Sequence, residues 1–469
     1  MSNLLGVDFG TTALKACLFD QDGNLLDTKS VQYKLITKGD FIEFDAEEFF
    51  NVFISTVNEI RKNNKVDALA VDTQGETLIV LDKNGKPLMN AIIWLDNRAE
   101  KQAKDMEERF GLEKIYNITG QAEIPAGYPA PKIKWIKENM PEVFEKADKF
   151  LLLEDYILYR LTGKFTASRS LYSSSLLLNI TTGEYEQEIL DYLGITKENL
   201  PTLYESGEKV GEYDGIAVCT SALDQIAGIT GAGVVKSGIL SETTGTALAV
   251  CALTDKIPEY KTGLKVSVYY VKNGVYCALM WAPTAGAVLE WFKKSFCEQF
   301  SLKELDELAK NVEKGSEGLI CIPHLCGTVM PENVPSAKGV FFGATMGTTR
   351  GHFVRSIMEA VAFNIREFVE FMNEPVTEIR SMGGGARSKI WCEIKSEVLG
   401  KKIVTLKQNE TASLGSAIFA GVATGVYQSV ESATEKLVAK NKEYLVETND
   451  YDSIYTEYKK KEKKILEIF

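Results

Sequence analysis

The chain has 469 residues, too many for one hydrophobic core, and about 150 residues per domain predicts two to three domains. Its 45% hydrophobic and 25% charged residues are typical of a globular protein and exclude disordered, collagen-like and fibrous classes. The net charge of −12 disfavours nucleic acid and anionic membranes as partners. No apolar run reaches the ~20 residues of a spanning helix. The eight scattered cysteines are typical of reduced thiols, which predicts a cytoplasmic location.

The N-terminal region is predicted to open with an antiparallel meander of three strands, because short apolar runs alternate there with turn residues. A helix follows at 46–63, with Asp45 as its N-cap and Glu48 in the capping-box position. Further strands and a hairpin are expected to complete one mixed sheet. In chain order, these strands and the hairpin are predicted at 4–8, 14–20, 25–35, 66–71, 81–88 and 91–95.

The C-terminal half is predicted to begin with a second meander. Residues 243–255 (TTGTALAVCALTD) echo residues 9–20 (FGTTALKACLFD) when one residue is skipped, and both follow a short apolar strand. The Gly-rich passage at 225–238, with Lys236 as its single charge, is interpreted as the connection between the two halves. The echo suggests a duplicated lobe with a shared cleft, although two Gly/Thr turns can also be alike by chance.

The rest of the C-terminal half alternates between strands and helices, as in α/β proteins that present backbone N–H groups to a ligand. The Lys-rich tail at 458–464 is interpreted as a solvated helix face. Strands are predicted at 318–322, 378–382 and 401–406, and helices at 286–300, 353–373, 387–399, 411–425 and 430–442.

Two Gly/Thr turns are candidate phosphate sites. In the segment from Asp8 to Thr12, a glycine turn lets consecutive N–H groups and two hydroxyls converge on an anion, with Lys15 nearby and Asp8 placed to hold Mg²⁺. Residues 244–246 repeat this chemistry, and two such clamps suggest a nucleoside triphosphate. The alternative for the first turn is a plain hairpin with an aspartate at the strand end.

A third candidate is the run Gly383 to Gly385 at the start of a helix, where bare backbone would let a base or sugar lie against the chain. The alternative is an ordinary helix cap beside a glycine linker. Neither GxxxxGK[ST] nor a strand-to-helix GxGxxG occurs, which disfavours P-loop and ordinary dinucleotide-binding proteins. The group Cys321, His324 and Cys326 lacks a second ligand pair and is more typical of core packing than of a zinc site.

Asp224 is the candidate base. It is the only charge in the 21 residues from Gly215 to Val235, and an unpaired buried carboxylate is costly unless it has a partner or a chemical role. The chain has only two histidines, so deprotonation of an alcohol would fall to a carboxylate. A structural acid would instead need a nearby cation or several N–H donors.

Two long gapped motifs resemble the signatures of the FGGY carbohydrate kinases, which belong to the actin-like and hexokinase-like ATPase group. Residues 127–139 (GYPAPKIKWIKEN) fit the first signature throughout. Residues 339–343 (GVFFG) with 352–359 (HFVRSIME) resemble the second, departing from it at Ala344, where the family has a larger aliphatic residue. The resemblance extends over roughly residues 3 to 440.

The resemblance implies an α/β fold of two duplicated ribonuclease H-like (actin-like ATPase) lobes, each a mixed five-stranded sheet flanked by helices, with a cleft between them. We expect an N-terminal lobe at 1–235, with sugar binding and the first phosphate loop, and a C-terminal lobe at 236–469, with ATP binding and the last helices. The implied cofactors are ATP and Mg²⁺. The implied partner is a small sugar or polyol, and a homodimer is left open.

By resemblance, Asp224 matches the catalytic base, which takes the proton of a hydroxyl whose oxygen attacks the γ-phosphorus in line. Asp8 is the expected Mg²⁺ position, directly or through water. The positions expected to bind ATP are Gly10, Thr11, Thr12, Lys15, Thr244, Gly245, Thr246, Gly383, Gly384 and Gly385.

The substrate motifs disagree with one another. Residues 73–98 and the Asp224-Gln225 pair resemble glycerol kinases, apart from Gly75, where Arg would stand, whereas Tyr128 lies in a context closer to pentulose and gluconate kinases. Loss of the Arg is taken to leave room for a ketose or longer polyol. A contact of Asp96 with substrate and an internal Asp96–Arg98 pair stay equally open. The expected substrate-binding residues are Gln74, Glu76, Trp94, Asp96, Tyr128 and Gln225.

These motifs favour a xylulokinase-like pentulose kinase. The alternatives are a glycerol- or erythritol-type polyol kinase, a gluconate kinase, and a non-enzymatic actin-like protein that binds ATP for conformational purposes. A non-enzymatic member would share the phosphate loops without needing Asp224, Glu76 and Gln225 together.

Overall fold

The computed structural model describes residues 2–261, 266–446 and 450–469. Among them, no helix is both long and apolar enough to cross a membrane. The strands up to residue 219 are short apolar runs punctuated by turns, as the sequence pattern predicts for the first three. They are β1 (Asn3–Phe9), β2 (Ala13–Asp20), β3 (Leu25–Gln32), β4 (Ile36–Lys38), β5 (Phe41–Phe44), β6 (Ala68–Thr73), β7 (Leu78–Leu81), β8 (Ala91–Ile92), β9 (Lys149–Leu152), β10 (Thr166–Ser168), β11 (Leu178–Asn179), β12 (Glu184–Tyr185), β13 (Thr202–Tyr204), β14 (Lys209–Tyr213) and β15 (Ile216–Cys219).

The first helix has the predicted N-cap, because the Asp45 carboxylate accepts from the backbone N–H of Glu47 at 2.8 Å. The predicted capping box does not form, since the Glu48 side chain accepts from Asn51 instead. The α-helices of this part are α1 (Ala46–Arg61), α2 (Glu100–Phe110), α3 (Leu112–Thr119), α4 (Pro129–Asn139), α5 (Pro141–Lys146), α6 (Leu153–Thr162), α7 (Arg169–Tyr172), α8 (Gln187–Leu193) and α9 (Asp224–Gly231).

The C-terminal part continues with a second set of strands and longer helices. The strands are β16 (Gly238–Thr244), β17 (Leu248–Thr254), β18 (Ser267–Lys272), β19 (Val275–Ala282), β20 (Ile320–Ile322), β21 (Val340–Phe342), β22 (Val376–Met382), β23 (Lys402–Leu406) and β24 (Lys440–Tyr444). The α-helices are α10 (Gly286–Phe296), α11 (Leu302–Lys310), α12 (Arg350–Met372), α13 (Lys389–Leu399), α14 (Thr411–Ala423), α15 (Val430–Leu437) and α16 (Tyr451–Leu466).

Two large sheets share one strand pattern. Sheet I has the order β14-β15-β6-β1-β2-β3, and sheet II has the order β18-β19-β17-β16-β22-β23-β24. In each, three antiparallel strands lie beside two strands parallel to the first of them. The predicted duplicated α/β architecture is therefore confirmed. The predicted count of five strands is wrong, because further antiparallel strands extend the edges of both sheets to six and seven.

A third sheet takes strands that the sequence pattern assigned to sheet I. Its order is β4-β5-β8-β7-β9, so the hairpin region and the strand near residue 91 do not complete the first sheet. Strand β7 pairs with β9, about seventy residues further along the chain, with Leu78 opposite Leu152. Pairing between such distant segments leaves no local sequence signal, which explains the error.

Helix α14, from the C-terminal part, packs against α9 and against the β1 and β6 strands of sheet I. The packing is close enough to involve backbone: a Cβ on Gly6 would lie 1.7 Å from the carbonyl oxygen of Ser413, and one on Gly415 would lie 1.9 Å from that of Ala227. The passage predicted as a connection at 225–238 thus begins as a helix that contacts both parts of the chain. The division at residues 235 and 236 stays a prediction.

The end of the chain differs from its predicted form. Helix α15 ends at Leu437, short of the predicted residue 442, because the chain turns into the edge strand β24 beside β23. The exposed, polar residues 440–443 of this edge strand (KNKE) resemble a solvated helix face when only periodicity is considered. Helix α16 also buries part of the tail interpreted as solvated, since Tyr458 is 1% and Glu462 3% exposed.

Candidate active site

The first Gly/Thr turn joins β1 to β2 and is held by two aromatic side chains. The Tyr33 hydroxyl donates to the carbonyl oxygen of Gly10, and its backbone N–H donates to that of Thr12. The indole Nε1 of Trp94 donates to Oγ1 of Thr11 at 2.8 Å. Trp94, which is predicted to contact the substrate, is therefore bonded directly to the first loop.

The second turn joins β16 to β17 and is held by the start of α10. The backbone N–H groups of Ala285 and Gly286 donate to the carbonyl oxygens of Thr246 and Gly245 at 2.9 and 2.8 Å. The Thr244 hydroxyl donates to Oε2 of Glu242 at 2.7 Å. Hydrogen bonds from other elements therefore hold both loops in place.

The glycine run packs directly on the second loop. Gly383 has a φ of +75°, and a Cβ there would lie 2.6 Å from the carbonyl oxygen of Thr244. Gly383 and Gly384 line a cavity of about 570 Å³ together with Lys15 and Glu410, whose side chains pair at 2.6 Å. The structure therefore brings Lys15 of the first hairpin to the predicted adenosine segment.

Asp224 stands at the first residue of α9 and lines a cavity of about 360 Å³. Asp8, Gln225, Gly245 and Thr246 line the same cavity, so residues from both parts of the chain meet there. One Asp224 carboxylate oxygen accepts from the backbone N–H of Gln225 at 2.6 Å. Burial, reinforced by the negative charges of Asp8 and Glu76, raises the pKa of Asp224 to about 8.

Asp8 has a second acid beside it that sequence reasoning missed. Asp72 ends β6 opposite Asp8 in the parallel register, and its side chain is fully buried. Burial raises the pKa of Asp8 to about 6 and that of Asp72 well above its usual range. Asp72 accepts from the hydroxyl of Ser416 on α14 at 2.6 Å. A signal was present, because both acids end neighbouring strands, but the pairing of β1 with β6 had to be known.

The end of the site predicted to bind the sugar is built around Glu76 and Lys132. The Lys132 side chain is fully buried and donates to the carbonyl oxygens of Glu76 and Ile93, each at 2.9 Å. Burial raises the pKa of Glu76 and lowers that of Lys132. Glu76 lies in the segment between β6 and β7, and its negative charge helps to raise the pKa of Asp224.

Two tyrosines from different parts of the chain meet at this end. The Tyr128 hydroxyl donates to Oε1 of Gln121 at 3.2 Å and lies 3.4 Å from the hydroxyl of Tyr269 on β18. Tyr269 was not predicted, because nothing in its local sequence separates it from other strand tyrosines. Gln74 lies buried directly after β6, with its backbone N–H donating to the carbonyl oxygen of Phe9.

Asp96 is not placed to contact a substrate. Its carboxylate accepts from Nε and Nη2 of Arg98, both at 2.8 Å, and from the backbone N–H of Ile42 at 2.6 Å. The residue is fully buried. The structure therefore shows the internal Asp96–Arg98 pair in place of the predicted substrate contact, because all faces of the carboxylate are occupied within the loop.

The arrangement of two phosphate-sized loops about one shared acid matches a known family. Residues 3–241 match the N-terminal domain, and residues 243–424 the C-terminal domain, of the FGGY family of carbohydrate kinases. The chain belongs to this family. It is a phosphotransferase with a sugar or alcohol group as acceptor and ATP as the phosphoryl donor.

The similar proteins are named as kinases of different substrates. The chain is 29% identical to the xylulose kinase of Bacillus subtilis over 461 residues, covering 93% of this chain and 91% of that protein. It is 28% identical to the gluconokinase of Bacillus subtilis (93% and 90%). It is 30% identical to the glycerol kinase of Thermococcus gammatolerans (91% and 90%).

Solved structures share the fold over the whole chain. The ligand-bound xylulose kinase from Lactobacillus acidophilus has a TM-score of 0.90 at 24% identity, covering 100% of this chain and 98% of that one. The gluconate kinase from the same organism has a TM-score of 0.90 at 25% identity, covering 100% and 97%. The fold alone therefore does not separate the candidate substrates.

Proposed function

We propose that the protein phosphorylates a neutral polyhydroxylated substrate, a ketose or a longer polyol. The favoured hypothesis is a xylulokinase-like pentulose kinase. The observation that carries the proposal is the cavity lined by Asp224 together with Asp8 of β1 and with Gly245 and Thr246 of the second Gly/Thr turn. A hydroxyl bound against Asp224 would lie beside the loops suited to the phosphates of ATP. A cytoplasmic location and a homodimer stay predictions.

The proposed chemistry needs three contributions from the chain. Asp224 accepts the proton of the substrate hydroxyl, since its carboxylate is half-buried, has a raised pKa and forms no salt bridge within the described part of the chain. The backbone N–H groups of the two loops, 10–12 and 244–246, stabilise the negative charge that spreads over the phosphoryl oxygens. Of these residues, Gly245 and Thr246 line the cavity that holds Asp224. Closing of the two lobes over the bound substrates would exclude water, which would otherwise accept the phosphoryl group.

Asp8 is suited to hold Mg²⁺, directly or through water. It is a half-buried carboxylate in the same cavity as Asp224 and Thr246, and its pKa is raised because the nearby Lys15 offsets burial only in part. A divalent cation bound nearby would stabilise the ionised form of such a carboxylate. When bound, the ion would neutralise charge on the phosphates of ATP.

The charge at the sugar-binding end favours a neutral substrate over gluconate. Among the described residues, Lys132 and Arg98 are cations near this end and both are engaged: Lys132 donates to backbone carbonyls, and Arg98 pairs with Asp96 and with Glu43. The carboxylate of gluconate would therefore meet Glu76 without a free cation to offset it. Xylulose, the substrate named for several relatives, carries no charge.

Gly75, which stands where glycerol kinases carry Arg, is closely packed. Gly75 has a φ of +85°, and a Cβ there would lie 2.9 Å from Cδ1 of Leu223 and 3.3 Å from Oγ of Ser174. The missing Arg therefore does not leave an empty space beside the glycine. The preference for a ketose over glycerol rests on the polar groups of Glu76, Gln225 and Tyr128, which suit several hydroxyls at once.

The test is an ATP-depletion assay with glycerol, erythritol, pentuloses, hexuloses and gluconate, each run with the wild type and with the matched Asp224→Asn variant. We expect one neutral ketose or polyol to be preferred about 100-fold or more over the other compounds. A preference for gluconate would contradict the charge argument. A flat response in the wild type would favour the non-enzymatic ATP-binding alternative.

A further inference from the structure

A fully buried ion pair lies beneath the two nucleotide segments of the C-terminal part. The ammonium of Lys395 on α13 is 2.7 Å from Oε1 of Glu242 on β16, and both side chains have no exposed surface. Neither residue lines the cavities at the site. The pair would therefore not contact a ligand bound in either cavity.

Hydrogen bonds join this pair to both neighbouring segments. Lys395 donates to the hydroxyl of Thr244 at 2.9 Å and to that of Ser381 at 3.5 Å. The Thr244 hydroxyl donates in turn to Oε2 of Glu242 at 2.7 Å, and the Ser381 hydroxyl donates to Oε1. The two hydroxyls, one from β16 and one from β22, therefore each contact both the Lys395 ammonium and the Glu242 carboxylate.

These hydroxyls belong to the residues at the ends of β16 and β22, from which the second phosphate loop and the glycine run depart. A Cβ on Gly385 would lie 3.1 Å from Nζ of Lys395 and 2.7 Å from Cβ of Thr244. Lys395 therefore supports the point where loop 244–246 and glycines 383–385 touch.

We propose that Lys395 and Glu242 are positioning residues for the nucleotide, holding the second phosphate loop and the glycine run in one fixed arrangement before ATP binds. The proposal rests on the proposed nucleotide role of these two segments. Stability alone is a poor explanation for the pair, because well-packed apolar residues of similar volume are often as stable as a buried ion pair. An apolar pair would, however, leave the two hydroxyls without their charged partners.

The test compares Lys395→Met, which leaves the Glu242 charge unpaired, with the double variant Glu242→Met and Lys395→Met. We expect the single variant to lose stability and the double variant to recover most of the lost melting temperature. In both, the Kd of a non-hydrolysable ATP analogue with Mg²⁺, measured by calorimetry, should rise about tenfold or more, while the KM of the sugar changes less than about twofold.

The matched control is Arg355→Met. Arg355 pairs with Glu359 at 2.8 Å within α12, with side chains 6% and 3% exposed, and lines neither of the two cavities. This variant should lose stability while keeping the wild-type Kd of the analogue. A folded double variant that binds the analogue as tightly as the wild type would overturn the proposal.

Hydrogen exchange of the wild type gives a readout that needs no variant. Backbone amides at 242–246 and 381–385 should exchange slowly without nucleotide, and rapid exchange there would also overturn the proposal. The calorimetry needs no sugar turnover. If no sugar were phosphorylated but the variants still weakened analogue binding, the substrate proposal would fail and this one would stand.

Discussion

At the scale of single residues, the site contains acidic side chains that keep their protons to a higher pH than usual because they are buried. Asp8, Asp72, Glu76 and Asp224 all have raised pKa values, and burial is the largest cause for each. A base is useful near neutral pH when its pKa lies close to that range. The pKa of about 8 for Asp224 therefore suits a group that must accept a proton and then release it.

Replacing Asp224 by Asn should remove the base while keeping the shape of the side chain. We expect kcat to fall by about two to four orders of magnitude, the usual contribution of general base catalysis. The Kd of a non-hydrolysable ATP analogue and the melting temperature should stay close to the wild-type values. The control is Asp191→Asn, on the exposed side of α8. Near wild-type turnover by the Asp224 variant would show that another group is the base.

The pH profile should report the same group. Because the pKa of Asp224 is raised to about 8, its carboxylate form is scarce below that pH. The kcat/KM of the wild type should therefore rise with pH from about 6 and level off above about 8. Residual activity of the Asp224→Asn variant should lack this rise. A wild-type profile that is flat from pH 6 to 9 would argue against the assignment.

At the scale of elements, the contact between α9 and α14 sets where Asp224 lies. Gly231 and Gly415 let the two helices meet backbone to backbone, since a Cβ at either position would lie within 2 Å of a carbonyl oxygen. Ser416 on α14 bonds both Asp72 and Ser221, each at 2.6 Å. A shift of α14 would therefore move the acids at the ends of sheet I.

Gly415→Ala should destabilise the protein, because its methyl group would overlap the carbonyl of Ala227. We expect a loss of about 1–3 kcal/mol or more in the free energy of unfolding, measured with urea. The matched control is Gly228→Ala in α9, where a Cβ meets nothing within 4 Å. Alanine there should stabilise the helix by up to about 1 kcal/mol. Equal effects of the two changes would contradict the close packing.

At the scale of the whole molecule, the C-terminal helix α16 packs against α12 next to the buried carboxylate of Glu462. Glu462 accepts from Nε2 of His324 and from the Tyr458 hydroxyl, each at 3.1 Å. The ammonium of Lys459 pairs with Glu462 and with Glu367 of α12. His324 thus has a structural role, and the described residues contain no group of three or more metal-binding side chains.

Glu462→Gln should destabilise the protein mainly at neutral pH. The bonds from His324 and Lys459 lower the pKa of Glu462 below its usual value, so its stabilisation is present above about 4.5 and is lost as the pH falls through the lower folded value. Removing one partner of a buried pair costs about 3–5 kcal/mol. Urea unfolding at pH 7 and at pH 4 should therefore give a larger difference at pH 7. The KM of ATP should not change.

Local sequence determined the meander strands, the Asp45 cap, both Gly/Thr turns and the isolation of Asp224, because each depends on residues adjacent in the chain. The family motifs extended this to the duplicated fold. Tertiary structure alone decided that Asp72 lies beside Asp8, that β7 pairs with β9, and that Lys395 contacts Glu242. Those contacts join segments from different elements, and the pairing and burial that create them have no local periodicity to reveal them.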